Sequence, residues 1–210
     1  VTTVATMVSR IENSLNRGSS FTSQINSSII DAVKYYKPRR FTFNTGRATA
    51  STVDGQEYYA LPNDCIEVDM MTVTYSSNNV EYLDETTYRW IQRNTSDTTR
   101  TSQPDKFAIE GLDLRMWPVP DGVYTLTMTY LRDIGGFSAT LTSTLSNAWT
   151  DEAEELIRSR AMAALLQDTI GGPDAEAASV KWVVRERQKF NELRREANRR
   201  ESSGRLIPYL

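Results

Sequence analysis

The chain has 210 residues, 39 % hydrophobic and 24 % charged, with a formal net charge of −3. That length can bury a real core in one or two domains, and the composition is that of an ordinary, somewhat polar globular protein. It has no histidine and one cysteine, Cys65, which excludes Ser-His-Asp and Cys-His nucleophiles, mixed His/Cys zinc sites and any internal disulfide framework. A single thiol fits a reducing compartment. No run approaches 18 apolar residues, so no membrane span is expected. The opening VTTVATMVSRIENSL lacks the basic region and long apolar run of a signal peptide, and an initiator methionine before Val1 is expected to have been removed or not recorded. Charge is uneven along the chain. Residues 181–210 hold nine Lys/Arg and four Glu, a balance of +5, which leaves the other 180 residues at −8.

Val4, Met7, Val8, Ile11 and Leu15 recur at three and four residues and predict an amphipathic helix, ended by Asn16-Arg17-Gly18-Ser19-Ser20. A second helix is predicted from about Thr22, with Ile25, Ile29, Val33 and Tyr36 as its buried stripe and Pro38 as its stop. From Phe41 the period changes to two. Phe41 and Phe43 alternate, Ala48, Ala50 and Val53 lead to an Asp54-Gly55 turn, and residues 57–61 run into Pro62-Asn63-Asp64. The longest strand candidate is 66–75. A turn at 76–79, a short strand at 80–83 and one or two helical turns at 85–93 follow, then a polar loop at 94–103.

Residues 107–132 read as a hairpin. Leu112, Leu114 and Met116 alternate with polar neighbours, Pro118-Val119-Pro120-Asp121-Gly122 supplies turn residues, and alternation resumes from Val123. Ile134-Gly135-Gly136-Phe137 breaks the sheet. Thr150 is the predicted N-cap of a helix with Leu156, Ile157, Ala161, Ala164 and Leu165 on its apolar side. After Gly171-Gly172, Pro173 starts a last helix reaching about Arg200, its buried side expected at Val180, Val183, Val184, Phe190, Leu193 and Ala197. The predicted fold class is α+β: a four-helix assembly formed by both ends of the chain, with an inserted antiparallel β domain. The expected divisions are 1–38 and 134–201 for the helices, 39–133 for the β domain and 202–210 for an extended tail.

Few residues carry chemistry. Glu67 and Asp69, two apart on a strand, could form a general acid/base pair or bind a hard cation, but they also fit the wet side of a half-buried strand. Cys65 has no activating neighbour in sequence and reads as a structural thiol. No cofactor or metal motif occurs, and Gly171-Gly172-Pro173 is not followed by the Lys-Ser/Thr of a phosphate loop. Two interaction elements stand out. The basic helix presents Arg185, Arg187, Lys189, Arg194, Arg195, Arg199 and Arg200, as an intersubunit or DNA-facing surface. The tail Arg205, Leu206, Ile207, Pro208, Tyr209 and Leu210 is largely apolar and follows Ser202-Ser203-Gly204, which suits insertion into a partner.

These residues also carry a family likeness. Leu61-Pro62-Asn63-Asp64 leads into Ile66-Glu67-Val68-Asp69. Later come Trp90, Gln103-Pro104-Asp105-Lys106-Phe107-Ala108-Ile109, Leu114-Arg115-Met116-Trp117-Pro118-Val119-Pro120-Asp121-Gly122-Val123-Tyr124, and Asn147-Ala148-Trp149. In these, over residues 20–170, the chain resembles the head-to-tail adaptor (connector) proteins of tailed bacteriophages. The resemblance implies a non-enzymatic virion protein without cofactors, made in the host cytoplasm and placed at the head–tail junction. It implies a homo-oligomeric ring, typically of twelve copies, docked on the portal protein, contacting downstream tail proteins and passing double-stranded DNA. Residues 205–210 would then be the portal-docking tail, and the helices at 150–170 and 173–200 would pack between subunits. An acidic body suits a channel through which DNA slides. Two other readings remain open at this stage: a carboxylate-dependent cell-wall glycan hydrolase, and a DNA-binding protein acting through the basic helix.

Overall fold

The computed structural model describes residues 1–16, 18–76, 79–95, 100–138 and 140–203. It is an α+β structure, with helices toward both ends of the chain and antiparallel-rich sheets between them. Two compact units form, one from Val1–Asn44 with the described residues from 134 onward, the other from Thr45–Asp133.

The helical unit grows from apolar stripes at helical spacing. Helix α1 (Val4–Leu15) buries Val4, Met7, Val8 and Ile11, and Thr3 caps it by accepting from the Thr6 amide at 3.3 Å. Helix α2 (Thr22–Tyr36) buries Ile25, Ile29, Ile30, Ala32, Val33 and Tyr36. On the far side of the insertion, a short helix α4 (Ala148–Asp151) starts at Asn147, not at Thr150 as the sequence suggests. Asn147 and Thr150 form a capping box, in which the Asn147 side chain takes a helix amide and Thr150 Oγ1 accepts from the Asn147 amide at 2.9 Å. Thr150 was a natural N-cap candidate because the acidic run begins just after it. After α4 the helix restarts as α5 (Glu154–Ala164), continues into a π-helical turn at Leu165–Ile170, and breaks at Gly171 and Gly172, both with positive φ.

Helix α6 (Pro173–Ser203) closes the unit along α5. Its inward seam is Ala175, Ser179, Trp182, Glu186, Phe190, Leu193 and Ala197, spaced by three and four. Val180, Val183 and Val184, expected on that seam, are instead 60, 37 and 51 % exposed. The phase is set by the large residues Trp182, Phe190 and Leu193, which leaves the valines on the other side.

Phe41 and Phe43, whose alternation suggests a strand, lie just before and within a 3-10 turn at Thr42–Asn44 and belong to the helical core. Asn44 is fully buried and holds this turn. Its Oδ1 accepts from the Phe41 amide and its Nδ2 donates to the Arg39 carbonyl, each at 2.7 Å. The Trp149 ring meets Phe43 and Phe41 edge-on, at 5.0 and 5.9 Å between centroids. The β unit therefore begins at Thr45, six residues later than the expected 39.

That unit is two four-stranded sheets sharing one core. The strands are β1 (Thr45–Ser51), β2 (Tyr58–Ala60), β3 (Cys65–Ser76), β4 (Asn79–Tyr82), β5 (Asp84–Glu85), β6 (Lys106–Glu110), β7 (Asp113–Trp117) and β8 (Thr125–Arg132). One sheet has the order β1-β8-β3-β4 and is antiparallel throughout. The other has the order β2-β7-β6-β5, in which β5 runs parallel to β6. Met71, Val73, Leu126, Met128 and Tyr130 of the first face Phe107, Leu114 and Met116 of the second. Gly46 lets the Tyr130 ring lie across β1, because a Cβ there would come within 2.7 Å of it.

The expected hairpin over 107–132 is not formed as such. β6 and β7 pair through a two-residue loop, Gly111-Leu112, and Gly111 supplies the positive φ (66°) that the tight reversal needs. β8 goes to the other sheet. The Pro-rich segment at 118–122 is the crossover between sheets. Gly55 N donates to the Pro120 carbonyl at 2.9 Å, Thr52 Oγ1 to the Gly122 carbonyl at 2.8 Å, and Ser102 N to the Val119 carbonyl at 2.9 Å. Two prolines lack the amides that a ladder requires, so the segment suits a crossover held by its neighbours.

Replacing Trp149 by Ala removes the largest fully buried side chain. The expected loss is about 3–5 kcal/mol of stability, readable by chemical denaturation, and a loss below about 1 kcal/mol would contradict the packing role given to the indole.

Candidate interaction surfaces

The basic helix separates into cations that hold the fold and cations that face away from it. Arg185 Nε donates to Glu155 Oε1 at 2.5 Å, and its guanidinium lies 5.5 Å from the centre of the Trp182 ring. Lys189 Nζ sits 3.3 Å from the same carboxylate and 2.7 Å from Glu192. Burial alone would push the Glu155 carboxyl up, but Arg185 and Lys189 outweigh it and hold the group below its usual range. Glu186 plays the reciprocal part on the inward side. It accepts from Arg160 Nη1 at 2.9 Å and from the Tyr36 hydroxyl. Burial and this carboxylate push the Tyr36 phenol far above its ordinary value, so it stays a donor. Arg185 and Lys189 are thus pins between α5 and α6.

Arg187, Arg194, Arg195 and Arg199 are exposed. Arg194 joins Arg39 and Arg40, which follow α2, around a groove of about 400 Å³ that Phe190, Ala197 and Asn198 also line. The Arg39 guanidinium stacks over Tyr35 and Phe190, at 5.1 and 5.4 Å from the ring centres. The basic surface therefore draws on two arginines from another part of the chain. The side chain of Arg200, and the tail at 205–210 with its six candidate docking residues, lie outside the described residues.

The strand carboxylates are not presented as a regular pair. β3 is bulged against β8 between Cys65 and Glu67 and between Val68 and Met70, so alternation no longer assigns Glu67 and Asp69 to one face. Both are exposed. Among the described residues, no group of three or more His, Cys, Asp or Glu could hold a metal ion. Cys65 is half-buried, and burial, then Asp64, push its thiol up, away from the reactive thiolate.

One cluster in the β unit has no clear signal in the sequence. Arg115 alternates on β7 as a wet-face residue would, yet it is 4 % exposed. Helix α3 (Tyr88–Asn94) accounts for this. Arg115 donates to Glu57 Oε1 at 2.5 Å, to Gln92 Oε1 at 2.8 Å and to Thr95 Oγ1 at 3.4 Å, and lies 4.9 and 5.4 Å from the ring centres of Tyr88 and Tyr58. The hydrogen bond to Tyr88, then burial, push the Tyr58 phenol up to about 12. One buried cation thus clamps the helix to the sheet. Beside it Trp90 meets Trp117 edge-on at 5.1 Å.

The SU10 adaptor protein family model matches residues 2–208, and the chain belongs to that family. No curated protein matches it. Among the described residues no helix is long and apolar enough to cross a membrane.

The Glu155 pin has a pH signature. Its folded carboxyl titrates below the unfolded one, so the contribution is complete above the ordinary glutamate value of about 4.3 and is lost as pH falls through the lower folded value. Glu155→Gln is expected to lower the unfolding temperature at pH 7, and that penalty is expected to shrink progressively as pH falls below the ordinary glutamate value. A pH series of thermal unfolding checks this, and a penalty independent of pH would contradict it.

Proposed function

We propose that the chain is a structural head-to-tail adaptor of a tailed-bacteriophage virion. The observation that carries this is the match of the adaptor family model along residues 2–208, in a chain that the sequence motifs at 61–69, 103–124 and 147–149 already liken to connectors. Copies form a ring, of twelve by the family's pattern, that docks on the portal, continues the DNA channel and receives the downstream tail proteins. The chain works without catalysis or cofactor, at the head–tail junction.

In this reading the helices α1, α2, α5 and α6 act as one four-helix assembly that forms the body of the ring, and the inserted β domain faces outward or toward the tail. Residues 205–210 are the portal-docking segment. The division of charge supports a sliding channel: the chain is acidic overall, and Arg185 and Lys189 are engaged by Glu155. The remaining helix cations serve intersubunit or DNA-facing contacts.

A variant lacking residues 205–210 is expected to keep the unfolding midpoint of the full chain and to lose co-sedimentation with portal rings. Normal portal binding by that truncation would refute the docking role of the tail.

A further inference from the structure

Opposite its inward seam, α6 carries a second stripe at Ala177, Val180, Val184, Asn191, Arg195 and Asn198, again spaced by three, four or seven. Its first half is apolar. Val180 and Val184 are more than half exposed, at 60 and 51 %, with Val183 at 37 % beside them. Exposed β-branched residues gain nothing in a helix by propensity, since valine ranks below most straight-chain residues there. In its second half Arg195 stands between Asn191 and Asn198, and Lys181, Arg187 and Arg194 are exposed beside the stripe, Lys181 next to the valines. A surface that sets exposed valines among cations calls for a partner that is apolar and anionic. A DNA backbone meets only the cations and leaves the valines in water, which favours a protein.

The chain itself offers that chemistry. Residues 45–133 hold seven Lys/Arg and fourteen Asp/Glu, a balance of −7, against +4 for the rest. Within this unit, residues 79–85 contribute β4 and β5, which lie at an edge of each sheet. Every residue of that segment except Leu83 is exposed. Val80 and Tyr82, at 57 and 71 %, share one face, opposite Thr74 and Thr72 of β3. Met70, at 42 %, extends the apolar patch. Glu81 alternates to the other face of β4, in register with Val73, and with Asp84 and Glu85 of β5 gives this edge segment three exposed carboxylates and no cation, with Lys106 at 3.5 Å from Asp84 as a neighbour. Sheet edges that display large apolar side chains are ordinarily covered or blunted.

We infer that the outward face of α6 in one copy docks on the 79–85 edge of a second copy, valines against Val80 and Tyr82 and arginines against Glu81, Asp84 and Glu85. The inference rests on the ring reading above and names the surfaces that build the ring. The two surfaces are unlike, so the contact is heterologous, and such contacts propagate into closed rings or filaments instead of stopping at a dimer.

The test is charge reversal with rescue, read by native mass spectrometry and sedimentation of the full chain, alone and with portal rings. Arg187→Glu with Arg195→Glu is expected to weaken self-association by about tenfold or more, as is Glu81→Arg with Glu85→Arg. An equimolar mixture of the two variants is expected to recover association, because each supplies the face the other needs. In a Cys65→Ser background, Val184→Cys mixed with Tyr82→Cys is expected to give an intermolecular disulfide under mild oxidation, and neither variant alone to do so. Circular dichroism melting shows whether the variants fold; the cross-linking pair avoids charge reversal altogether. If rings form but reversal leaves them unchanged and no cross-link appears, this interface is wrong and the ring reading stands. If the arginine reversals abolish DNA binding but not assembly, the face belongs to nucleic acid and the inference falls. If the unaltered chain forms no ring even on portals, the inference falls together with the ring reading.

Discussion

The indole of Trp149 is the contact on which the helical unit depends. It comes from the second half of the chain and packs against Phe41 and Phe43 from the first. Phe190 of α6 closes the same cluster, stacked on Tyr36 at 5.8 Å and edge-on to Phe41 at 6.1 Å. Three segments widely spaced in sequence thus meet in one aromatic knot. The β unit leaves the helical core immediately after Asn44 and returns to it at Ile134. Fixing these two points is what allows a 89-residue unit to be inserted without separating the two halves. The buried Asn44 serves the same end, since its side chain satisfies the backbone of the turn that presents both phenylalanines.

Electrostatics then decide what α6 shows to its surroundings. Glu155 and Glu186, one on α5 and one on α6, bind the cations between the helices and fix their register. Their cost is the desolvation of partly buried carboxylates, offset by charge-assisted hydrogen bonds. Arg187 and Arg195 lie on or beside the outward side with the exposed valines, while Arg194 turns to the groove it shares with Arg39 and Arg40. One face of α6 is therefore the inside of a subunit, and the other has the composition of a contact surface.

Much of this was readable from side-chain periodicity. The stripes at Val4, Met7, Val8 and Ile11 and at Ile25, Ile29, Val33 and Tyr36 predicted α1 and α2, because core-facing helices repeat their apolar residues at the helical period. The mixed α and β class was legible for the same reason. Alternation failed where a third body covers the outer face of a sheet: Arg115 reads as solvated until α3 is laid over it. It failed again at Phe41 and Phe43, where a 3-10 turn also brings two residues at i and i+2 into one core. Proline-rich punctuation between alternating runs was ambiguous, because a crossover between sheets and a hairpin turn share their residues. The valines of α6 mark the limit of reading apolar residues as buried, since sequence hydrophobicity does not separate a core from an interface. The basic surface was half legible: its helix was evident, while Arg39 and Arg40 join it only through the fold.

Electron cryo-microscopy of the protein bound to portal rings addresses the central claim most directly. The account predicts a closed ring of twelve copies, coaxial with the portal, with the chain's C-terminal residues reaching the portal surface. A protein that stays monomeric in the presence of portals and leaves them undecorated would contradict it.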